Sequence, residues 1–163
     1  MSGLGGGPKS QRRGRAIAMT AEEVDGFLGT ERTCRVATAG GDGRPHVAPL
    51  WFVWDGGALW LNSLTRSQRW TDLVRDPRVA VVVDTGVEYT ELRGVEITGR
   101  AEPVGDVPRS DADDPELAPV ERAFALKYGG TDTYVPDGRH AWLRIIPEKL
   151  VSWDFRKLGA PRG

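Results

Sequence analysis

The sequence predicts a mainly β fold of the α+β kind: an antiparallel barrel of about six strands with short helices added. Three observations carry this. Apolar, β-branched segments such as RTCRVATA, RVAVVVD and LRGVEITGRAEPV recur along the chain. Gly-rich turns, GGDG at 40–43 and DGG at 55–57, join neighbouring segments in the manner of hairpins. The helical patterns between them are short, and no internal repeat is present.

The elements follow in order. Residues 1–18 are Gly-rich and basic and bury too little apolar surface to offset ordering, so a disordered tail is expected. Thr20-Ala21-Glu22-Glu23 is a capping box, and Val24, Phe27 and Leu28 form the apolar face of a short helix ending near Gly29. Arg32–Ala39 alternates partly, as a strand does. Pro45–Asp55 is the next strand, with Pro49 at a bulge or edge, and Ala58–Asn62 follows the second turn. Ser67–Arg75 puts Trp70, Leu73 and Val74 on one side of a short helix, which Pro77 stops. Arg78–Asp84, rich in valine, reads as a fully buried strand. Leu92–Val104 alternates Val95 and Ile97 with polar residues as a long, half-buried one. Pro115–Tyr128 suits a helix with Leu117, Val120, Phe124 and Tyr128 on one side, ended by Gly129-Gly130. His140–Pro147 and Leu150–Phe155 read as closing strands. One domain is expected over 19–158, with 159–163 a flexible end.

Composition narrows the function. The 163 residues carry a net charge of −1, so no global field draws the chain to nucleic acid or membrane and any anion binding is local. Cys34 is the lone cysteine, which excludes an intrachain disulfide, and its apolar strand makes it a buried, inert thiol. His46 and His140 stand apart without zinc spacing, so no metal is expected. No apolar run is long enough to cross a bilayer and the first residues lack the apolar centre of a signal peptide; a cytoplasmic location is expected. The six tryptophans, at 51, 54, 60, 70, 142 and 153, suit cores, interfaces and ring-binding pockets alike.

The stretch best suited to chemistry runs from Asn62 to Arg69. A strand ends there and a helix begins, with Ser63, Ser67, Arg66 and Arg69 gathered where backbone N–H groups are unpaired. Hydroxyls and guanidiniums at a helix start make a seat for a phosphate or a row of carboxylates.

The segments TCRVATAGGDGRPHVAPLWFVWDGGALWLNS, TRSQRWTDLVRDPRVAVVVD and LRGVEITGRAEPV together resemble the pyridoxamine 5′-phosphate oxidase-like split β-barrel proteins. The resemblance covers about Thr20 to Asp154 and is loose after Gly105. It implies a six-stranded antiparallel split β-barrel with short flanking helices. It further implies a homodimer with a flavin or deazaflavin ring in a groove at the dimer interface. By position, Ser67, Gln68 and Arg69 would hold the cofactor phosphate, and Asn62 and Ser63 would contact the ribityl chain. Val47, Ala48, Pro49 and Leu50 would run beside the ring, and Trp153 and Arg156 would reach toward the second subunit.

Two departures bear on the branch. Ser67-Gln68-Arg69 stands where pyridoxamine phosphate oxidases resemble Ser-Arg-Lys, and the ending WDFRKLGAPRG lacks their basic substrate motif. This points away from pyridoxamine phosphate oxidation. The short chain and Trp-rich strands are more similar to the branch that uses the deazaflavin coenzyme F-420. The implied function is hydride transfer between coenzyme F-420 and a small unsaturated organic substrate. The alternatives are an FMN-dependent reductase or oxidase, a non-enzymatic carrier of haem, bilin or fatty acid, and a cofactor-free dimeric scaffold. The loops at 85–91 and 106–114 are expected to set the size of the pocket.

Overall fold

A computed structural model describes residues 7–12 and 14–159. Seven strands form one antiparallel sheet: β1 (Cys34–Ala39), β2 (Pro45–Leu50), β3 (Phe52–Asp55), β4 (Ala58–Leu64), β5 (Arg78–Thr85), β6 (Arg93–Val104) and β7 (His140–Asp154). Three helices accompany it: α1 (Ala21–Thr30), α2 (Gln68–Arg75) and α3 (Ala118–Phe124).

The strand order is β2-β1-β5-β6-β7-β4-β3. β2 and β3 therefore lie at opposite edges of the sheet, yet Trp51 alone separates them in sequence. The sheet must curl until its edges meet there, which makes a half-barrel with a split beside Trp51. The expected antiparallel class holds, but the strands number seven rather than six. The expected strand Pro45–Asp55 is cut in two at Trp51, where the chain passes from one edge to the other. The two expected closing strands are one strand, β7. Its register against β6 shifts between Thr98 and Gly99, which leaves Glu148 as the extra residue of a bulge. Pro147 sits at that bulge, where a missing N–H costs the ladder least.

The main core fills the inside of the curl. Cys34, Val36, Phe52, Leu59, Leu61, Val81, Ile97, Leu143 and Ile145 pack there with Val24, Phe27 and Leu28 of α1 and Trp70 and Leu73 of α2. The capping box of α1 is present: Glu23 N–H donates to Thr20 Oγ1 (3.1 Å) and Thr20 N–H to Glu23 Oε2 (2.9 Å). A second cluster lies on the outer face, where Val53, Ala58, Trp60 and Trp142 meet Leu117 and Val120 at α3. This explains why β4 is apolar on both faces rather than alternating.

The expected helix over Pro115–Tyr128 is shorter and changes form. α3 ends at Phe124, and a π turn continues over Ala125–Gly129. The helix gives up regular spacing because its end is tied down elsewhere. The Tyr128 hydroxyl accepts from Phe52 N–H (3.0 Å) and donates to a carbonyl, with Phe52 O at 2.8 Å and Arg32 O at 2.7 Å. Lys127 Nζ lies 3.3 Å from both Leu28 O and Phe52 O.

Of the tail expected to be disordered, residues 1–6 and 13 lie outside the described residues. The remainder runs along the edge of β7 that β4 leaves unpaired. Lys9 N–H donates to Glu148 O (2.9 Å), and the Gln11 amide both donates to Ser152 O (3.0 Å) and accepts from Ser152 N–H (2.9 Å). An open strand edge is covered in this way. Of the flexible end expected over 159–163, residues 160–163 lie outside the described residues. Among the described residues no helix is long and apolar enough to cross a membrane.

Candidate functional site

Two cavities adjoin at one end of the outer face. The first, of about 520 Å³, is lined by Leu50 and Trp51 at the sheet corner, Phe124 and Tyr128 around the π turn, and Asn62 and His140 on β4 and β7. The segment from Thr131 to Asp137, with Tyr134, closes its wall. The second, of about 470 Å³, is lined by Leu64, Thr65, Arg66 and Ser67 at the end of β4, and by Gly138 and Arg139. Both volumes suit small-molecule sites. Asp137 and His140 face the first cavity while Gly138 and Arg139 face the second, so one turn forms the ridge between them.

The first cavity is an aromatic box. Trp51, about half exposed at 48%, stacks on Tyr128 at a centroid distance of 4.4 Å and 9° between planes. Phe124 packs edge-on to Trp142 at 5.4 Å and to Tyr134 at 6.1 Å. Asn62 Nδ2 donates to the Tyr134 hydroxyl (3.0 Å). Burial raises the Tyr134 phenol above its ordinary range, so it stays neutral. Burial likewise pushes Tyr128 up to about 12. Polar ends on an apolar wall favour a planar ligand with hydrogen-bonding edges.

The second cavity is cationic and hydroxylic. Ser67 caps α2 as expected: its Oγ accepts from Trp70 N–H (3.1 Å) and donates to Leu64 O (2.8 Å). Arg66 and Arg139 are exposed beside it. Arg69 is placed differently from them. It is 8% exposed, lies behind the corner, and donates from Nε to Ser63 Oγ (3.2 Å). Among the described residues it has no ion pair, and burial lowers its pKa. It stiffens the turn and adds positive potential beneath it.

The structure separates residues that the sequence grouped. Successive strand residues point to opposite faces. Asn62 lies on the outer face in the aromatic cavity, while Ser63 is fully buried on the inner face with Arg69. Gln68 is drawn back along α2 to Asp72, Nε2 to Oδ1 at 2.8 Å. On the edge strand β2, Leu50 reaches the aromatic cavity, Ala48 is half-buried and Pro49 is exposed. Val47 is 65% exposed and apolar. Trp153 pairs with Gly94 of β6, and Arg156 makes a two-pronged ion pair with Asp154 (2.9 and 2.7 Å). Trp153 lies roughly 35 Å along β7 from Trp142, at about 3.3 Å per residue, and Arg156 sits in the turn after that strand ends at Asp154; neither lines either cavity.

Sequence reading missed Tyr134, Asp137, Arg139 and the site role of His140. The signal was there: the run YVPDGRH holds a phenol, a carboxylate, a guanidinium and an imidazole within residues 134–140. The wall comes from this segment rather than from the loops at 85–91 and 106–114.

Comparison with known proteins agrees with the fold. The sequence pattern that defines the family described as pyridoxamine 5′-phosphate oxidase matches residues 20–154. No curated protein matches the chain. A solved structure of the conserved hypothetical protein Rv2991 from Mycobacterium tuberculosis is 32% identical with a TM-score of 0.76, over 95% of this chain and 96% of that one. A FAD-binding protein from Mesorhizobium loti is 23% identical with a TM-score of 0.62, over 83% of this chain and 94% of that one. A structure named F-420 reductase is 22% identical with a TM-score of 0.57, over 77% of this chain and 94% of that one.

Proposed function

The chain belongs to the pyridoxamine 5′-phosphate oxidase family, and from that premise we propose that it is an oxidoreductase working with a flavin-type cofactor, coenzyme F-420 in preference to FMN. The observation that carries this reading is the pairing of cavities. An aromatic box lies next to a seat of hydroxyls and guanidiniums, with a single turn as the ridge between. A cofactor with a flat ring at one end and an anionic tail at the other matches that division.

The residues present fit such a group. Arg66, Arg139, Thr65 and Ser67 would take the anionic tail, with the N-terminus of α2 adding its dipole. Trp51, Phe124 and Tyr134 would border the ring. Val47 and Pro49 would lie beside it where β2 meets a second copy of the chain. When bound, the cofactor would supply hydride chemistry at its ring. The protein's part is to fix the ring, exclude water and orient the acceptor, because a displacement of about 1 Å can cost roughly a hundredfold in rate. Homodimerisation belongs to the same proposal. Val47, Pro49 and Trp51 form an exposed apolar edge, and Trp153 and Arg156 would serve a site only across such a pairing.

The test is a titration followed by tryptophan fluorescence, with coenzyme F-420, FMN and hemin as separate ligands. Quenching by the deazaflavin that weakens about tenfold or more when Arg66 and Arg139 are both changed to Ala supports the reading. Binding of hemin alone, unaffected by that double change, would replace it with a carrier.

A further inference from the structure

We propose that His140 is the proton-donating catalytic residue of this site and that Asp137 positions it. The inference rests on the hydride-transfer reading above and deepens it by naming the proton source.

Asp137 organises its own turn. Its Oδ1 accepts from the N–H groups of Arg139 (2.9 Å) and His140 (3.0 Å), and its Oδ2 meets His140 Nδ1 at 2.6 Å. Burial works against the charged form of this carboxylate. The three hydrogen bonds and the imidazole's charge outweigh it and take Asp137 down to about 2. An ionised carboxylate on Nδ1 keeps a hydrogen there and leaves Nε2 to exchange a proton. Among the described residues Nε2 has no partner, and His140 lines the aromatic cavity with a side chain 26% exposed.

A binding group faces this imidazole at a suitable spacing. β4 pairs Asn62 with Trp142 and Leu64 with His140. Asn62 and His140 are therefore diagonal neighbours on one face of the sheet, about 7–8 Å apart. Because Asn62 donates to the Tyr134 hydroxyl, that phenol keeps its own hydrogen for a ligand. A planar acceptor with its carbonyl oxygen on Tyr134 would share this cavity with His140.

For a conjugated carbonyl, a proton from His140 would complete a two-hydrogen reduction of the C=C bond. The reduced flavin-type cofactor would supply the β-carbon with hydride, two electrons in all. The electron pair of the breaking C=C π bond takes a proton at the α-carbon from Nε2 of the imidazolium. The substrate would gain two hydrogens; the cofactor, oxidised by loss of hydride, would release its remaining proton to solvent, and neutral His140 would regain a proton from solvent at its exposed edge.

Several charges surround the imidazole. Arg139 lies on its own turn, 3.9 Å from the same Asp137 carboxylate. Arg66 lines the adjoining cavity from the β4–α2 turn. Arg109 donates its N–H to His140 O (2.8 Å), while its guanidinium pairs with Glu121 (2.6 Å) and Asp106 (4.0 Å). Tyr134 faces it across the cavity.

The chain has two histidines, so His140→Gln assigns both ring resonances by NMR. Titration of the wild-type protein with 4-nitrophenol, a planar probe, should move the His140 resonance and leave His46 in place. With reduced coenzyme F-420 and 2-cyclohexenone, His140→Gln should lower kcat by about 10²–10⁴-fold and change the shape of the pH–rate profile. The KM for the enone should change by less than about threefold. Asp137→Asn should lower kcat while leaving the KM for the enone within about threefold, because a misaligned imidazole slows the proton step without loosening substrate. A His140 resonance that ignores the probe overturns the proposal. So does a His140→Gln enzyme that binds cofactor normally and keeps the wild-type kcat, and that result leaves the oxidoreductase reading standing. A wild-type protein that binds neither deazaflavin nor FMN overturns both.

Discussion

Asp72 offers a quantitative test of how the cationic corner is held. It lies on α2 with its side chain fully buried, and it accepts from Thr38 Oγ1 (2.7 Å) and Gln68 Nε2 (2.8 Å), with Arg75 at 3.9 Å. Burial alone would raise its pKa. The bonds from Thr38 and Gln68 and the charges of Arg75 and His46 outweigh burial and lower it. Asp72→Asn keeps the shape and both contacts, because the amide can donate to the Thr38 hydroxyl and accept from Gln68. What it removes is the charge. Each bond then falls from about 1.5–3 kcal/mol to about 0.5–1.5 kcal/mol, so two bonds lose roughly 2 kcal/mol. At about 2–4 °C per kcal/mol for a chain of this size, Tm should fall by roughly 4–8 °C. Urea unfolding at pH 7 should show a lower midpoint with an unchanged slope. The pH dependence supplies a second check. The folded-state pKa is depressed, so the carboxylate's contribution is fully present above about pH 4 and is lost as pH falls through the folded value. The gap between wild type and variant should therefore close in acid. A difference below about 0.5 kcal/mol at pH 7, or one that stays constant down to pH 3, would refute this account of the α2–β1 tie.

Two further predictions follow from burial and close approach. Burial pushes the Cys34 thiol up to about 12, against the opposing charges of Arg69 and Lys127. Native protein at pH 8 should react with a disulfide reagent on the order of a thousandfold more slowly than protein in urea, given an ordinary thiol pKa of about 8.5; comparable rates would contradict the burial. At Gly99 an added Cβ would collide with the Ile146 carbonyl oxygen at the bulge, and backbone cannot swing aside as a side chain can. Gly99→Ala should cost about 1–3 kcal/mol in urea unfolding, and a neutral result would show that the β6–β7 bulge yields.

Much of the framework is legible in local pattern. Thr20 and Glu23 announce the start of α1, Ser67 caps α2 where the sequence places it, and the valines mark β5 as a strand, although it is buried on one face (Val79, Val81, Val83) rather than fully, with Ala80 and Val82 half-buried on the other. These are short-range effects of hydrogen-bonding type, spacing and β-branching, so they can be read without knowing what lies across the sheet. The site is legible only in part. The corner after Asn62 is where hydroxyls and guanidiniums gather, but the sequence treats Asn62, Ser63 and Arg69 as one group. Strand alternation sends Ser63 and Arg69 inward and leaves Asn62 outside.

The aromatic box is the part no local pattern contains. Trp51 belongs to the β2–β3 corner, Phe124 and Tyr128 to the end of α3, and Tyr134, Asp137 and His140 to the approach to β7. By itself the amino-acid sequence determined an antiparallel β domain and a cation-rich helix start, because caps, turns and alternation act over a few residues. Only the tertiary structure decided which of those groups share a cavity. Curling the sheet until β2 meets β3, and packing α3 on its outer face, brings together residues up to 90 positions apart (Leu50 and His140), and such long-range closure leaves no periodic trace in the chain.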